Sequence, residues 1–277
     1  MQLTLLSLFV TDTKEIAMKV IVTSNQHLGY ANADKTSFNL FLDSLNQDNE
    51  TTHLVLLGDV VDMWRRDASG VFLENRDTVE KLLGLGSAIK VYYVAGNHDY
   101  HVLDLKNHSY PFDFRENLLL PDGAVTYRFV HGYEYDPEQR PALMELLCRV
   151  LSDDAGSLES DFWKEWSNFV NGLFKIPSPS ESNDLITTIN RLQERPEVRL
   201  KSTLDEINAR ACHDAKPGQV LVFGHTHSPF VNKTENVVNS GSWVKDASPH
   251  NTYVELARGK PRLFVFGGNE ITNRINC

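Results

Sequence analysis

Leu54-Val55-Leu56-Leu57-Gly58-Asp59-Val60-Val61-Asp62 passes from a short apolar run straight into a glycine and two carboxylates. A run of branched apolar residues closed by Gly reads as a buried strand, so the carboxylates sit at its carboxyl end. The pattern recurs along the chain. Val20-Ile21-Val22 leads to Ser24-Asn25-Gln26-His27, and Val91-Tyr92-Tyr93-Val94 leads to Gly96-Asn97-His98-Asp99. Tyr127-Arg128-Phe129-Val130 leads to His131-Gly132, and Val220-Leu221-Val222-Phe223 leads to Gly224-His225-Thr226-His227. Side chains at the carboxyl ends of several strands of an open α/β sheet meet in one crevice. Asp, Asn and His gathered there suit a pair of divalent metal ions.

Taken together, the five blocks resemble the signature of the calcineurin-like metallophosphoesterase superfamily: D-x-H, G-D-x-x-D, G-N-H-[DE], a lone His, and G-H-x-H, in that order. The resemblance implies an α/β fold, a two-sheet α/β/β/α sandwich with an inserted helical cap. It also implies a ligand set. One ion would be held by Asn25, His27, Asp59 and His227, the other by Asp59, Asn97, His131 and His225, with Asp59 bridging. Two such ions hydrolyse a phosphodiester or pyrophosphate bond with water that they activate. His98 is the expected proton donor or charge stabiliser, Asp99 its orienting partner, and Asp62 a carboxylate supporting the ligands. Asp, Asn and His ligation admits manganese first, with iron, zinc or nickel as alternatives. The helical stretch and Gly96-Asn97-His98-Asp99-Tyr100-His101 are similar to proteins related to UDP-2,3-diacylglucosamine hydrolases, which implies a small, nucleotide-linked or lipid-linked phosphorylated substrate.

The first block departs from the pattern: Asn25 stands where the superfamily carries Asp. The amide oxygen can still ligate, but without a carboxylate's charge, so weaker binding of the first ion is expected. The sequence leaves open whether Asn25 is native or introduced. Two other functions compete with the small-molecule hydrolase. One is a nuclease of the same superfamily; the other is a non-catalytic scaffold, as in the retromer branch.

The 277 residues are 41% apolar with a formal net charge of -10, enough for a sizeable core. That charge argues against a general nucleic-acid binder. The widely spaced Cys148, Cys212 and Cys277 match no metal pattern and read as reduced thiols of a cytoplasmic protein. Met1–Val10 is briefly apolar but lacks the basic start of a signal peptide, and residues 1–17 read as an extension before a domain at 18–277.

Strands are expected at 20–24, 53–58, 90–95 and 125–131 in a first sheet, with helices at 34–48 and 70–86. Residues 136–215 read as the helical cap, carrying Trp163, Trp166 and the arginines 140, 149, 191, 195 and 199. Strands at 219–223, 229–232, 236–239, 251–257 and 262–266 would form hairpins of a second sheet. His53, His101, His108, His213 and His250 match no block and read as surface or locally hydrogen-bonded residues.

Overall fold

The computed structural model describes residues 18–136, 201–272 and 274–277. Two six-stranded sheets face each other. The first has the order β11 (Lys260–Val265), β10 (Thr252–Ala257), β1 (Lys19–Thr23), β2 (His53–Leu57), β3 (Lys90–Val94), β4 (Phe112–Arg115). The second runs β12 (Arg274–Ile275), β8 (Phe230–Asn232), β9 (Val237–Asn239), β7 (Gln219–Phe223), β6 (Val125–Phe129), β5 (Leu118–Asp122).

Alternation along the strands builds the layers, because successive side chains leave opposite faces. Val20, Val22, Val55 and Leu57 meet Phe129, Val220 and Val222 between the sheets. Ile21, Leu54 and Leu56 turn the other way, onto α1 (Lys35–Gln47) and α3 (Arg76–Ala88) through Phe38, Phe41, Leu42, Leu82 and Leu85. Leu221 and Phe223 cover the outer face of the second sheet with Ile207 and Ala211 of α4 (Lys201–His213). The expected α/β/β/α order is therefore present.

Four details differ from expectation. The strand at 125–131 belongs to the second sheet, pairing parallel with β7, and β10 and β11 belong to the first, through an antiparallel pairing of β10 with β1. Spacing identifies strands but says nothing about which sheet a returning strand joins. β4, β5 and the two-residue β12 were not expected; Pro111, Pro121 and charged residues break up the apolar pattern of the first two. The helix expected at 70–86 is two, α2 (Ala68–Glu74) and α3, divided at Asn75, whose side chain bonds back to the Val71 carbonyl. Finally, α4 was assigned to the cap but forms the outer layer of the sandwich. The extension at 1–17 and cap residues 137–200, with their Trp and Arg residues and Cys148, lie outside the described residues.

The cysteine expectation is corrected as well: Cys212 on α4 and Cys277 are disulfide-bonded. Their 65-residue separation hides a pairing that arises because β12 returns the C-terminus beside α4.

Trp243 closes the core beneath the strand ends. It is fully buried, packs on Phe38, Phe41 and Phe266, and donates its indole N–H to Thr23 Oγ1 at 2.6 Å. Trp243→Ala is expected to cost about 3–5 kcal/mol, read as a lower urea midpoint.

Candidate metal centre

β1, β2 and β3 run parallel, as do β6 and β7, so the polar blocks of each sheet emerge at one edge. The loops then pair with each other. Asn25 N–H donates to the Gly58 carbonyl at 3.0 Å, His27 N–H to the Asp59 carbonyl at 2.9 Å, and Gly224 N–H to the His131 carbonyl at 2.8 Å. Of eight non-glycine residues with positive φ among the described residues, five are expected ligands: Asn25, His27, Asp59, His225 and His227. A left-handed residue of this kind stores on the order of 1–3 kcal/mol and persists only where its surroundings hold it. Crowding imposes a second condition. A Cβ on Gly96 would come within 2.2 Å of Asp59 Oδ1, and one on Gly58 within 2.3 Å of His131 Nδ1.

Asp59 lies at the centre. Its Oδ2 is 3.0 Å from His131 Nε2 and 3.8 Å from His27 Nε2, and its Oδ1 accepts the His98 N–H at 2.8 Å. Burial opposes its ionisation, but His131, His98 and His27 hold its carboxyl well below the usual range.

The donor set leaves lone pairs facing one another. His131 donates its Nδ1–H to the Leu57 carbonyl at 2.8 Å, so Nε2 faces Asp59 and offers a lone pair once an ion displaces its proton. His225 Nε2 lies 3.0 Å from Asp136 Oδ2, which takes its proton, and Nδ1 then faces Asn97 Oδ1 at 3.1 Å. His27 gives its Nδ1 proton to Asp62 at 3.0 Å, and its Nε2 meets His227 Nε2 at 3.1 Å. Burial first, then His27, holds His227 well below the usual imidazole range, so it is neutral. Asn25 Oδ1 is buried with no hydrogen bond. Converging acceptors and an orphaned amide oxygen are what a bound cation would satisfy, and the residues fit the two ions expected.

The ligand atoms of Asp59, His131 and His225 lie within 4.8 Å of one another, as do those of His27, Asp62 and His98. The first trio belongs to the expected second site. The other trio does not coincide with the expected first site. Asp62 serves as a brace there: Oδ1 accepts His98 Nδ1–H at 2.9 Å, Oδ2 accepts His27 Nδ1–H, and Arg65 also pairs with Oδ2.

Asp99 departs from its expected role. It accepts the N–H groups of Val60 and Gly96 and the Tyr93 hydroxyl, each at 2.7 Å, and so ties the β2 and β3 loops together. Burial and the Asp59 charge push its carboxyl up to about 6. Orienting His98 falls to Asp62, because the ring points back across the crevice and not along its own loop.

Asp136, Ser24 and Gly241 were missed. Asp136 follows His131 by five residues, a spacing no motif marks. Asn25 Nδ2 donates to Ser24 Oγ at 2.9 Å and to the Gly241 carbonyl at 2.8 Å, which aims the amide. His53 and His250 make the local bonds expected of them, to Thr52 Oγ1 and the Ala247 carbonyl.

Against the penalty of burial, the Asp59 carboxylate pushes His131 up to about 9, so in the metal-free protein it is protonated below that pH. An ion taking this position displaces the proton. Metal affinity should therefore rise with pH up to about 9, with acid released on binding in weakly buffered solution at pH 8. Titration calorimetry in buffers of different ionisation enthalpy counts the protons; none released would overturn the assignment of His131 as a ligand.

Residues 18–229 match the calcineurin-like phosphoesterase family. No curated protein sequence matches the chain. Among solved structures, YfcE, a phosphoesterase from E. coli, is 19% identical, with 92% of this chain and 97% of that one covered at a TM-score of 0.45. An archaeal phosphodiesterase is 12% identical, covering 90% and 99% at 0.42, and Vacuolar Protein Sorting 29 from Cryptosporidium parvum 16%, covering 93% and 99% at 0.40. With the five blocks meeting where the two sheets end and the family pattern covering 18–229, the chain belongs to the calcineurin-like phosphoesterase family.

Proposed function

We propose that this chain is a metal-dependent hydrolase of a small phosphodiester or pyrophosphate, nucleotide-linked or lipid-linked. The observation that carries the reading is the convergence of buried imidazole, amide and carboxylate ligand atoms around Asp59, with His98 braced beside them. Asn25, His27, Asp59 and His227 would hold one divalent ion, and Asp59, Asn97, His131 and His225 the other. Bound there, two ions supply Lewis-acid charge stabilisation and an activated water. The metal we favour is manganese.

The chain's own residues supply the rest. Asp62 accepts the Nδ1–H of His98, which aims Nε2 at the leaving oxygen; as imidazolium, His98 would pass its Nε2 proton to that oxygen and return to the neutral ring with Nδ1–H on Asp62. Asp136 and the Leu57 carbonyl fix which nitrogen of His225 and of His131 faces the centre. A net charge of -10 favours a small substrate over nucleic acid.

Asn25→Asp adds a negative charge at the first position. It is expected to tighten the first ion by at least about tenfold, the scale of a carboxylate close to a divalent ion. Manganese titration of the two forms would measure it, and equal affinities would sink the idea. With bis(p-nitrophenyl) phosphate and manganese, the Asp form should turn over faster than the parent. His98→Ala in the Asp form should lose about 10²–10⁴ in rate. If neither form turns over while both bind two ions, the diester reading falls and the scaffold reading gains.

No described helix is long and apolar enough to cross a membrane. We favour the cytoplasm, and the Cys212–Cys277 pair opposes that placement, since reducing compartments keep thiols reduced. Thiol titration of the denatured chain, purified without reductant, decides. Three free thiols fit the cytoplasm; one free thiol indicates an oxidising compartment.

A further inference from the structure

The proton donor of the proposed reaction is held on more sides than its hydrogen bond. Trp64, two residues beyond Asp62, stacks on the His98 ring with centroids 4.2 Å apart and planes 26° apart. Both residues are almost wholly buried. On another side the ring of His27 meets His98 edge-on, at 4.8 Å and 87°. The backbone closes the arrangement: Met63 N–H donates to the His98 carbonyl at 3.2 Å, which fixes the Asp62–Trp64 turn against the His98 loop. Asp62 is itself held by Arg65, through a side-chain ion pair and through the Arg65 N–H at 3.1 Å from Oδ1. Arg65 in turn lies over the Tyr30 ring, 4.5 Å from its centroid.

A hydrogen bond at Nδ1 fixes one point of an imidazole but leaves the ring free to turn about the line through that nitrogen. A flat face pressed against the ring removes this freedom, and an indole offers the largest face of any side chain. We infer that Trp64 is a positioning residue: its indole face sets the plane of the His98 ring and so the direction of Nε2. The inference rests on the reading of His98 as the proton donor. Geometry at a reacting group is worth much in rate, because a misplacement near 1 Å costs about 10²-fold.

The test uses the full chain with Trp64→Ala, Trp64→Phe and His98→Ala, each checked for folding by its melting transition. The first readout needs no metal and no turnover. Long-range ¹H–¹⁵N spectra of the metal-free chain, with His98→Ala identifying the His98 signals, should show a single tautomer carrying its proton on Nδ1. Trp64→Phe should keep the His98 ring shifts, and Trp64→Ala should keep the proton on Nδ1 but shift and broaden the ring signals, as the ring turns about its Asp62 bond. Unchanged His98 signals in Trp64→Ala overturn the inference.

The second readout is kinetic, with diesters of good and poor leaving groups. Trp64→Ala is expected to lower kcat about tenfold on the poor leaving group, with KM within about twofold, and Trp64→Phe to recover most of the loss. On the His98→Ala background the same change should have less than about a twofold effect. A loss that persists on that background, or that falls on KM, gives Trp64 a different role. His98→Ala turning over as fast as the parent refutes the proton-donor reading itself, and the shifts and widths of the His98 ring signals then still report whether Trp64 sets the ring.

Discussion

A carboxylate with almost no exposure to water, Asp59, is the constraint around which this molecule is arranged. A buried charge is tolerated only when it is paired and hydrogen-bonded. Asp59 meets that condition with groups from three other segments: the His131 ring, the His98 N–H and, farther off, the His27 ring. Those groups reach it only because the strand ends turn sharply and because Gly96 has no Cβ to fill the space beside its oxygen. The strain of five left-handed residues, Asn25, His27, Asp59, His225 and His227, is therefore concentrated around one charge. The two apolar layers on either face of the first sheet give the strands the rigidity to hold it.

Around that charge the polar side chains divide their work. His131, His225 and His27 each commit one nitrogen to a carbonyl or carboxylate, which turns the other toward the centre. Asp62 and Asp99 look equivalent in sequence but are used differently. Asp62 grips two imidazoles and an arginine. Asp99 grips backbone N–H groups and a tyrosine hydroxyl, so it holds the loops and not the rings. Asn25 is treated in the same exact way by its surroundings. The Gly241 carbonyl can only accept, and Nδ2 donates to it, so the neighbourhood matches an amide and leaves Oδ1 buried with no hydrogen bond. A carboxylate in the same pose would set oxygen against oxygen there, and the charge it brings acts against that contact.

The ligand blocks were legible because each joins a local signal, an apolar run ending in glycine, to residue types with a distinct chemistry. Asn25, His27, Asp59, Asn97, His131, His225 and His227 all reach the same crevice, as does His98. The layer order was legible for a related reason: alternation in Val20-Ile21-Val22 is a property of the chain alone. Asp136, Trp64 and Gly241 were not legible as site residues, because nothing local marks a group whose importance comes from what lies across the crevice. The same is true of the Cys212–Cys277 pair, and of β10, which crosses to the first sheet as the antiparallel neighbour of β1.

The sequence by itself determined most of the strands, the faces they bury and the residue types set at their ends, since periodicity and residue chemistry act within a few residues. Tertiary structure alone decided which sheet each strand joins, which carboxylate braces His98, and which nitrogen of each histidine faces the centre. Those outcomes depend on pairings between residues far apart in sequence, such as His98 with Asp62 and His225 with Asp136, and only the packed fold brings such partners within hydrogen-bond reach.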